Sequence, residues 1–222
     1  MKFPRLFIFD LDGVITDTAE FHYLAWKQLA SELGITIDRE FNEQLKGISR
    51  MDSLERILAL NPSLKDMSLE EKERLAAKKN DHYLELIHGI TPSHVLPGIL
   101  DLLKEIKAHQ ILIALGSASK NAPMVLKFLE VTEYFDYVVD ASKIKRGKPD
   151  PETFTVAADF FGIPYDKCIG VEDSQAGIEA INSAGMFSVG IGPRDSLSDA
   201  HYLVSTTAEL DFKKIIEAYN NK

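Results

Sequence analysis

The feature that most constrains the fold is an apolar run that ends in two acidic residues. Leu6 to Phe9 has the length of a strand, and Asp10 and Asp12 follow it before Gly13. Residues two apart in an extended chain point to the same side, so the two carboxylates face one spot. A cation or shared substrate would relieve their repulsion, which suits metal-assisted phosphoryl transfer with one acid as nucleophile and the other as proton carrier. The alternative is a strand that runs into an ordinary Asp-Gly turn.

The composition describes an ordinary globular chain of 222 residues, with 45% hydrophobic residues, 27% charged residues and a formal net charge of −9. This length allows one full core and a smaller accessory domain. The negative charge disfavours nucleic-acid binding, and the short apolar runs lead us to expect neither a signal peptide nor a membrane-spanning segment. Cys168 is the single cysteine, which excludes an internal disulfide, and its apolar surroundings predict a buried thiol. We expect a cytoplasmic monomer.

Helical and strand-like segments alternate from residue 99 onward. Strands are predicted at residues 6–9, 111–115, 137–139, 168–171 and 187–191. This alternation predicts an α/β fold with a doubly wound parallel sheet, a Rossmann-like core. Residues 16–90 contain helical patterns, including one from Asp38 to Gly47 and one opened by a capping box at Ser68, and no convincing strand. We therefore expect a catalytic core of residues 1–15 and 93–222 and an inserted helical cap domain of residues 16–92.

Polar residues follow three of the predicted strands. In open parallel sheets, ligands bind beyond the carboxyl ends of the strands, where these loops would meet. Glu172 and Asp173 form a second acidic pair, and Asp173 is predicted to hold Mg²⁺ together with Asp10, although a cap for the next helix explains the pair as well. Ser117 lies in a loop that leads into a helix, a setting that suits a phosphoryl group but also occurs in merely flexible loops.

Three further residues have both a functional and a structural interpretation. Lys148 precedes a proline-fixed turn, which suits a lysine aimed at phosphoryl charge; the alternative is a solvated surface lysine. Arg50 follows a glycine-hinged loop and could clamp a phosphate, or simply pack its stem on apolar neighbours. His22 shares a helix face with Thr18, and packing explains it as well as catalysis does. Trp26, on the same face, is predicted to belong to the core.

Five segments of the chain resemble known motifs. The run from Asp10 to Thr18 resembles the first motif of the haloacid dehalogenase-like (HAD) phosphotransferases, and residues 147–152 and 171–178 resemble others shared across that superfamily. Residues 46–50 and 117–121, together with His22, are similar to the more specific motifs of the β-phosphoglucomutases. The resemblance covers the whole chain. Gly116 and Ile48 depart from the usual residues without removing a functional group.

The resemblance implies an Mg²⁺-dependent isomerase that interconverts β-D-glucose 1-phosphate and glucose 6-phosphate. Asp10 would carry the phosphoryl group, and the phosphoryl donor would be the intermediate β-glucose 1,6-bisphosphate. The implied catalytic residues are Asp10, Asp12, Thr18, His22, Lys46, Ser117 and Lys148. The implied metal ligands are Asp10, Asp12 through its backbone carbonyl, Glu172 and Asp173. The implied substrate-binding residues are Gly47, Ile48, Arg50, Ser53, Lys79, Ser117, Ala118, Ser119, Lys120 and Asn121.

Two other functions remain open at this point. A sugar-phosphate phosphatase would share Asp10, Asp12, Lys148 and Asp173, so the mutase hypothesis depends on the cap residues. A receiver-type signalling domain also has a phospho-accepting aspartate beside metal-binding acids, but the helical insertion and Arg50 argue against it. For a mutase we further hypothesise that Thr18, His22 and Lys46 couple closure of the cap on a sugar phosphate to the positioning of the proton carrier.

Overall fold

The computed structural model describes residues 2–45, 48–64 and 66–222. The chain divides into two compact units. The core unit comprises Met1–Asp17 and Thr91–Lys222, and the helical unit comprises Thr18–Ile90. Among the described residues, no helix combines the length and the hydropathy that a membrane span requires.

The core unit contains a parallel sheet with the strand order β3-β2-β1-β4-β5-β6. Its strands are β1 (Leu6–Phe9), β2 (Leu112–Leu115), β3 (Tyr137–Val138), β4 (Cys168–Glu172), β5 (Phe187–Ile191) and β6 (Tyr202–Val204). β1 pairs with β2 and β4, and Phe9 lies in register with Leu115 and Val171. The loops that follow these three strands therefore begin side by side, at one edge of the sheet. The predicted α/β fold with a parallel sheet is confirmed.

Helices cover both faces of this sheet. The α-helices of the chain are α1 (Ala19–Glu32), α2 (Arg39–Glu43), α3 (Arg50–Leu58), α4 (Leu69–Ile87), α5 (Ile99–Ala108), α6 (Ala122–Phe128), α7 (Glu152–Phe161), α8 (Gln175–Ser183) and α9 (Phe212–Asn220). On one face, Ile8 of β1 shares a buried cluster with Phe154 of α7 and Ile181 of α8. On the other, the ring of Phe7 lies 6.4 Å from that of Phe212 in α9. Burial on both faces explains why β1 is continuously apolar.

Helices α1 to α4 belong to the helical unit, and α2, α3 and α4 begin at side-chain caps. The Asp38 carboxylate accepts a hydrogen bond from the Phe41 N–H at 2.8 Å, and Ser68 and Glu71 form the predicted capping box. Trp26 and Leu54 are buried in one apolar cluster of this unit, so the prediction that Trp26 belongs to the core is confirmed.

The structure corrects two sequence-based expectations. The helix predicted from Asp38 to Gly47 ends at Glu43, because the chain turns at residues 44–45, where the Leu45 N–H donates to the Asn42 carbonyl; Gly47 lies outside the described residues. Strand β6 and helix α9 were not predicted. β6 has only three residues and ends the sheet at its edge, and an apolar run of that length is too short to predict a strand.

Candidate active site

The carboxylate of Asp10 lies buried directly after β1. The Asp10 N–H donates to the carbonyl of Val171 at 3.0 Å, which continues the β1–β4 ladder and fixes the backbone at this position. Lys148 Nζ donates to Asp10 Oδ1 at 2.7 Å and to Glu172 Oε1 at 2.6 Å. Lys148 is 3% exposed, so it is a buried site residue and not a solvated surface lysine. The fold thus brings together three charged groups that are far apart in sequence.

Electrostatic interactions keep Asp10 and Lys148 ionised at neutral pH. Burial raises the pKa of Asp10 to about 6, against the opposing effect of the Lys148 ammonium and with a further rise from Glu172. Burial lowers the pKa of Lys148, but the two carboxylates outweigh that effect and the net pKa lies above its ordinary value. Lys148 therefore remains a cation beside an ionised Asp10 at pH 7.

Three of the four predicted metal ligands bring their carboxylates together. Oxygen atoms of Asp10, Glu172 and Asp173 all lie within 4.8 Å of one another, and among the described residues the carboxylate of Asp12 does not belong to this group. The group is composed entirely of hard oxygen donors, which fits Mg²⁺. Gly13 has a φ of +74°, and a β-carbon there would overlap the Asp173 carboxylate, so a glycine is required at this turn.

Glu172, which was predicted as a metal ligand, also accepts several hydrogen bonds from the protein. It is completely buried, and its Oε2 accepts hydrogen bonds from the Ser174 N–H at 2.7 Å and from the Ser174 hydroxyl at 3.0 Å. Ser174 also caps α8, because its Oγ accepts from the Gly177 N–H at 3.1 Å. The capping interpretation therefore holds for Ser174, whereas the role of the acidic pair as metal ligands stays a prediction.

The loop after β2 begins beside Asp10 and is ordered by serine side chains. The Gly116 N–H donates to the Phe9 carbonyl at 2.8 Å. Ser117 is buried, and its Oγ accepts from the Ser119 N–H at 3.1 Å, while Ser119 Oγ accepts from the Asn121 N–H at 3.3 Å. Of the remaining predicted residues here, Ala118 is half-buried and Lys120 is exposed. Side-chain hydrogen bonds thus hold this loop in consecutive turns.

Within the helical unit, His22 and Lys79 are in direct contact. Lys79 Nζ lies 2.7 Å from His22 Nδ1, and the His22 ring stacks on Tyr83 at 4.0 Å between centroids. Burial, Lys79 and Arg50 hold the pKa of His22 well below its usual range. Since an ammonium can only donate, Nδ1 accepts and the proton of the neutral ring resides on Nε2. The fully buried Thr18 accepts from the His22 N–H through its carbonyl at 3.0 Å.

Arg50 is held by a residue that the sequence did not indicate. Its Nη2 donates to Asn80 Oδ1 at 2.7 Å, which links the start of α3 to the middle of α4. Asparagine within a helix carries no motif, and only the packing of the two helices reveals its role. Ser53 is buried and donates to a backbone carbonyl one turn earlier, and Ile48 is half-buried. The predicted residues Lys46 and Gly47 lie outside the described residues.

The chain belongs to the haloacid dehalogenase-like hydrolase family, whose model matches residues 4–185. It is 44% identical to the β-phosphoglucomutase of Bacillus subtilis (strain 168), over 96% of this chain and 94% of that protein. The crystal structure of β-phosphoglucomutase from Clostridium difficile superposes with a TM-score of 0.96 at 51% identity, covering 98% of both chains. The fructose-1-phosphate phosphatase of Escherichia coli (strain K12) is 31% identical, over 83% of this chain and 94% of that one. The family resemblance seen in the motifs is confirmed.

Proposed function

We propose that this chain is a β-phosphoglucomutase that interconverts β-D-glucose 1-phosphate and glucose 6-phosphate. The observation that carries the proposal is the buried Asp10 carboxylate, fixed by Lys148 at the end of β1, in a chain with near-full-length relatives of that name. The core unit would supply the chemistry, and the helical unit would act as the cap that binds the rest of the substrate. β-Glucose 1,6-bisphosphate would be the intermediate.

In this proposal Asp10 is the nucleophile. One carboxylate oxygen attacks a phosphorus atom of β-glucose 1,6-bisphosphate as the P–O bond to the sugar breaks, which leaves an aspartyl phosphate and a glucose monophosphate with a free hydroxyl. With a pKa of about 6, Asp10 is ionised and competent to attack at pH 7. The aspartyl phosphate then gives its phosphoryl group to the free C6 hydroxyl of β-glucose 1-phosphate, which frees Asp10 and forms β-glucose 1,6-bisphosphate again. Attack of Asp10 on the phosphate at C1 of this bisphosphate releases glucose 6-phosphate and completes the isomerisation.

Asp12 is the proposed proton carrier. It is half-buried and lies two residues after Asp10, in a segment that forms a β-bridge between Asp12 and Thr16. It would give its proton to the departing sugar oxygen and remove the proton from the attacking hydroxyl in the return step. Thr18, His22 and Lys46 would couple substrate binding to the placement of this group.

Lys148 and Ser117 would hold the transferring phosphoryl group. The ammonium already contacts the Asp10 carboxylate, so it lies where negative charge would develop on the equatorial oxygens. Mg²⁺ would be held by Asp10, Glu172, Asp173 and the backbone carbonyl of Asp12, and would neutralise phosphoryl charge when bound. The fit of the acidic cluster to a hard cation supports this assignment.

The other phosphate and the sugar would be bound by the remaining predicted residues. Arg50 offers a planar fork for a phosphate, which its contact with Asn80 holds in one orientation. The proposed phosphate-binding residues are Arg50, Ser119, Lys120 and Asn121, with Ala118 adjacent. The proposed sugar-binding residues are Gly47, Ile48, Ser53 and Lys79.

A sugar-phosphate phosphatase is the second candidate, because the chain is also similar to a protein named fructose-1-phosphate phosphatase. One assay separates the two. The protein is incubated with Mg²⁺, β-glucose 1-phosphate and a trace of glucose 1,6-bisphosphate, and glucose 6-phosphate and inorganic phosphate are measured together. Conversion to glucose 6-phosphate with little free phosphate supports the mutase. Stoichiometric release of phosphate would overturn it in favour of the phosphatase, and absence of both products would overturn both.

A further inference from the structure

Gly177, in the first turn of α8, faces the side chain of Glu172. A β-carbon at position 177 would overlap the Cγ, Cδ and Oε1 atoms of Glu172. Because Glu172 is completely buried, its carboxylate has little space to move aside without changing its contacts. Glycine is thus the residue that leaves room for the observed position of Glu172.

Gly177 also belongs to a hydrogen-bonded chain that ends at Asp10. Its N–H donates to Ser174 Oγ at 3.1 Å, and the Ser174 hydroxyl donates to Glu172 Oε2 at 3.0 Å. Glu172 Oε1 accepts from Lys148 at 2.6 Å, and Lys148 donates to Asp10 at 2.7 Å. Each carboxylate oxygen of Glu172 therefore has a protein donor, and the first turn of α8 determines where that carboxylate lies.

We propose that Gly177 is a positioning residue for phosphoryl transfer: its missing side chain admits the Glu172 carboxylate, which holds Lys148 against the nucleophile. The proposal rests on the proposed function of Asp10 and Lys148. Gly177 itself does not contact the substrate. It acts on the reaction through Glu172 and Lys148.

Alanine at position 177 should preserve the fold and disturb the site. Alanine is a better helix former than glycine, so α8 is not weakened by the exchange. The atoms that must move belong to the outer part of the Glu172 side chain, not to backbone. The displaced carboxylate would lose its alignment with Lys148 and its place in the cluster with Asp10 and Asp173.

Gly170 provides a matched control. It lies on β4, and its β-carbon would approach the Ile181 side chain of α8 to 2.6 Å. Gly170→Ala thus creates a crowded contact between the same strand and the same helix, but against an apolar side chain of the buried core cluster instead of a carboxylate. General distortion of the β4–α8 interface would affect both variants, whereas loss of Glu172 positioning would affect Gly177→Ala alone.

The test measures kcat, substrate KM, Mg²⁺ affinity by calorimetry in the absence of substrate, and urea unfolding for both variants. For Gly177→Ala we expect kcat to fall about 100-fold, KM to change less than threefold and the Mg²⁺ dissociation constant to rise about 10-fold. For Gly170→Ala we expect lower stability, with kcat and Mg²⁺ affinity within about twofold of wild type. Wild-type values in Gly177→Ala, or equal losses in both variants, would overturn the proposal.

A double variant makes the test independent of folding. If the overlap with Glu172 is the cause, Gly177→Ala should change kcat less than about twofold in a Glu172→Ala background. Should Gly177→Ala alone fail to fold, the double variant must fold, and its failure would overturn the proposal. The calorimetric measurement needs no sugar phosphate, so a wild-type protein that binds Mg²⁺ but lacks mutase activity would overturn the proposed function, while the Mg²⁺ affinities of the two variants would still test whether Gly177 positions Glu172.

Discussion

Lys148 of the core unit and Lys79 of the helical unit are each 3% exposed, but different contacts bury them. Lys148 is held between two carboxylates, at 2.7 and 2.6 Å. Lys79 lies over the rings of Trp26 and Tyr83, 4.7 and 4.8 Å from their centroids, and against His22. Lys148 also lies 5.1 Å from the centroid of the Phe154 ring, so cation–π contact helps to offset the cost of burying both lysines, and two carboxylates add ion pairs at Lys148.

The difference indicates which ligand each region suits. In the core unit, the carboxylates of Asp10, Glu172 and Asp173 lie close together and one ammonium contacts two of them, so the group carries excess negative charge and suits a metal cation. In the helical unit, Lys79 lies beside a neutral His22, whose pKa is lowered by burial and by Lys79 and Arg50 together. That environment suits an anion such as a phosphate.

The largest expected effect is the loss of turnover in Asp10→Asn. The amide keeps the shape of the side chain but cannot attack phosphorus, so kcat should fall by at least about 10⁴-fold while the fold persists. Steady-state assays and circular dichroism measure the two properties. Asp17→Asn, at an exposed position of the same unit, is the control and should retain activity. Substantial mutase activity in Asp10→Asn would show that the chemistry does not reside at this carboxylate.

The next effect contrasts the two lysines directly. Lys148→Met leaves two buried carboxylates without their cation, which should cost about 3–5 kcal/mol in the free energy of unfolding at pH 7. Lys79→Met leaves aromatic rings that a thioether can contact, so the cost should stay below about 2 kcal/mol. Urea denaturation of both variants measures the difference.

The pH dependence identifies the cause of the Lys148→Met effect. If repulsion between Asp10 and Glu172 dominates, lowering the pH towards 5 should protonate a carboxyl group and recover part of the lost stability. The loss in Lys79→Met should vary less over the same range. Equal costs for the two variants, or a Lys148→Met cost that does not change with pH, would contradict the contrast between the two regions.

A smaller effect is expected for Arg50→Lys. Lysine keeps the charge but loses the planar fork and the geometry of the contact with Asn80, so kcat/KM for glucose 1,6-bisphosphate should fall about 10- to 100-fold. Hydrolysis of a small acyl phosphate, which has no second phosphate, should change little. Arg56→Lys is the matched control, because Arg56 is an exposed residue of the same helix. Equal losses on both substrates would show that Arg50 is structural.

Local patterns predicted most of the fold, because short-range physics determines these elements. The apolar run of β1, the Asp38 cap and the Ser68 capping box each depend on residues within one or two turns. The site was predicted less completely. Lys148 and Asp10 are 138 positions apart, and their contact with Glu172 follows from strand order, which a motif does not contain. Asn80 and Gly177 act through packing, and their residue types carried no separate signal.

The smallest predicted effect concerns His22 and tests the charge environment of the helical unit. The pKa of His22 is lowered in the folded protein, so below about pH 6.5 the unfolded chain binds a proton at this residue that the folded protein does not. This contribution to stability is present above the unfolded pKa and is lost as the pH falls. One such proton changes the free energy of unfolding by up to about 1.4 kcal/mol per pH unit.

His22→Gln should therefore flatten the decline in stability between pH 6.5 and 5.5 by about 1 kcal/mol. The amide oxygen of glutamine can still accept from Lys79, so the contact is retained while the titration is removed. Urea denaturation at pH 7.5, 6.5 and 5.5 measures the slope, with His88→Gln at an exposed position of the same unit as the control. Parallel slopes for wild type and His22→Gln would mean that His22 titrates normally. His22 would then become a cation in mild acid. A neutral imidazole would no longer distinguish the charge environment of the helical unit from that of the core unit.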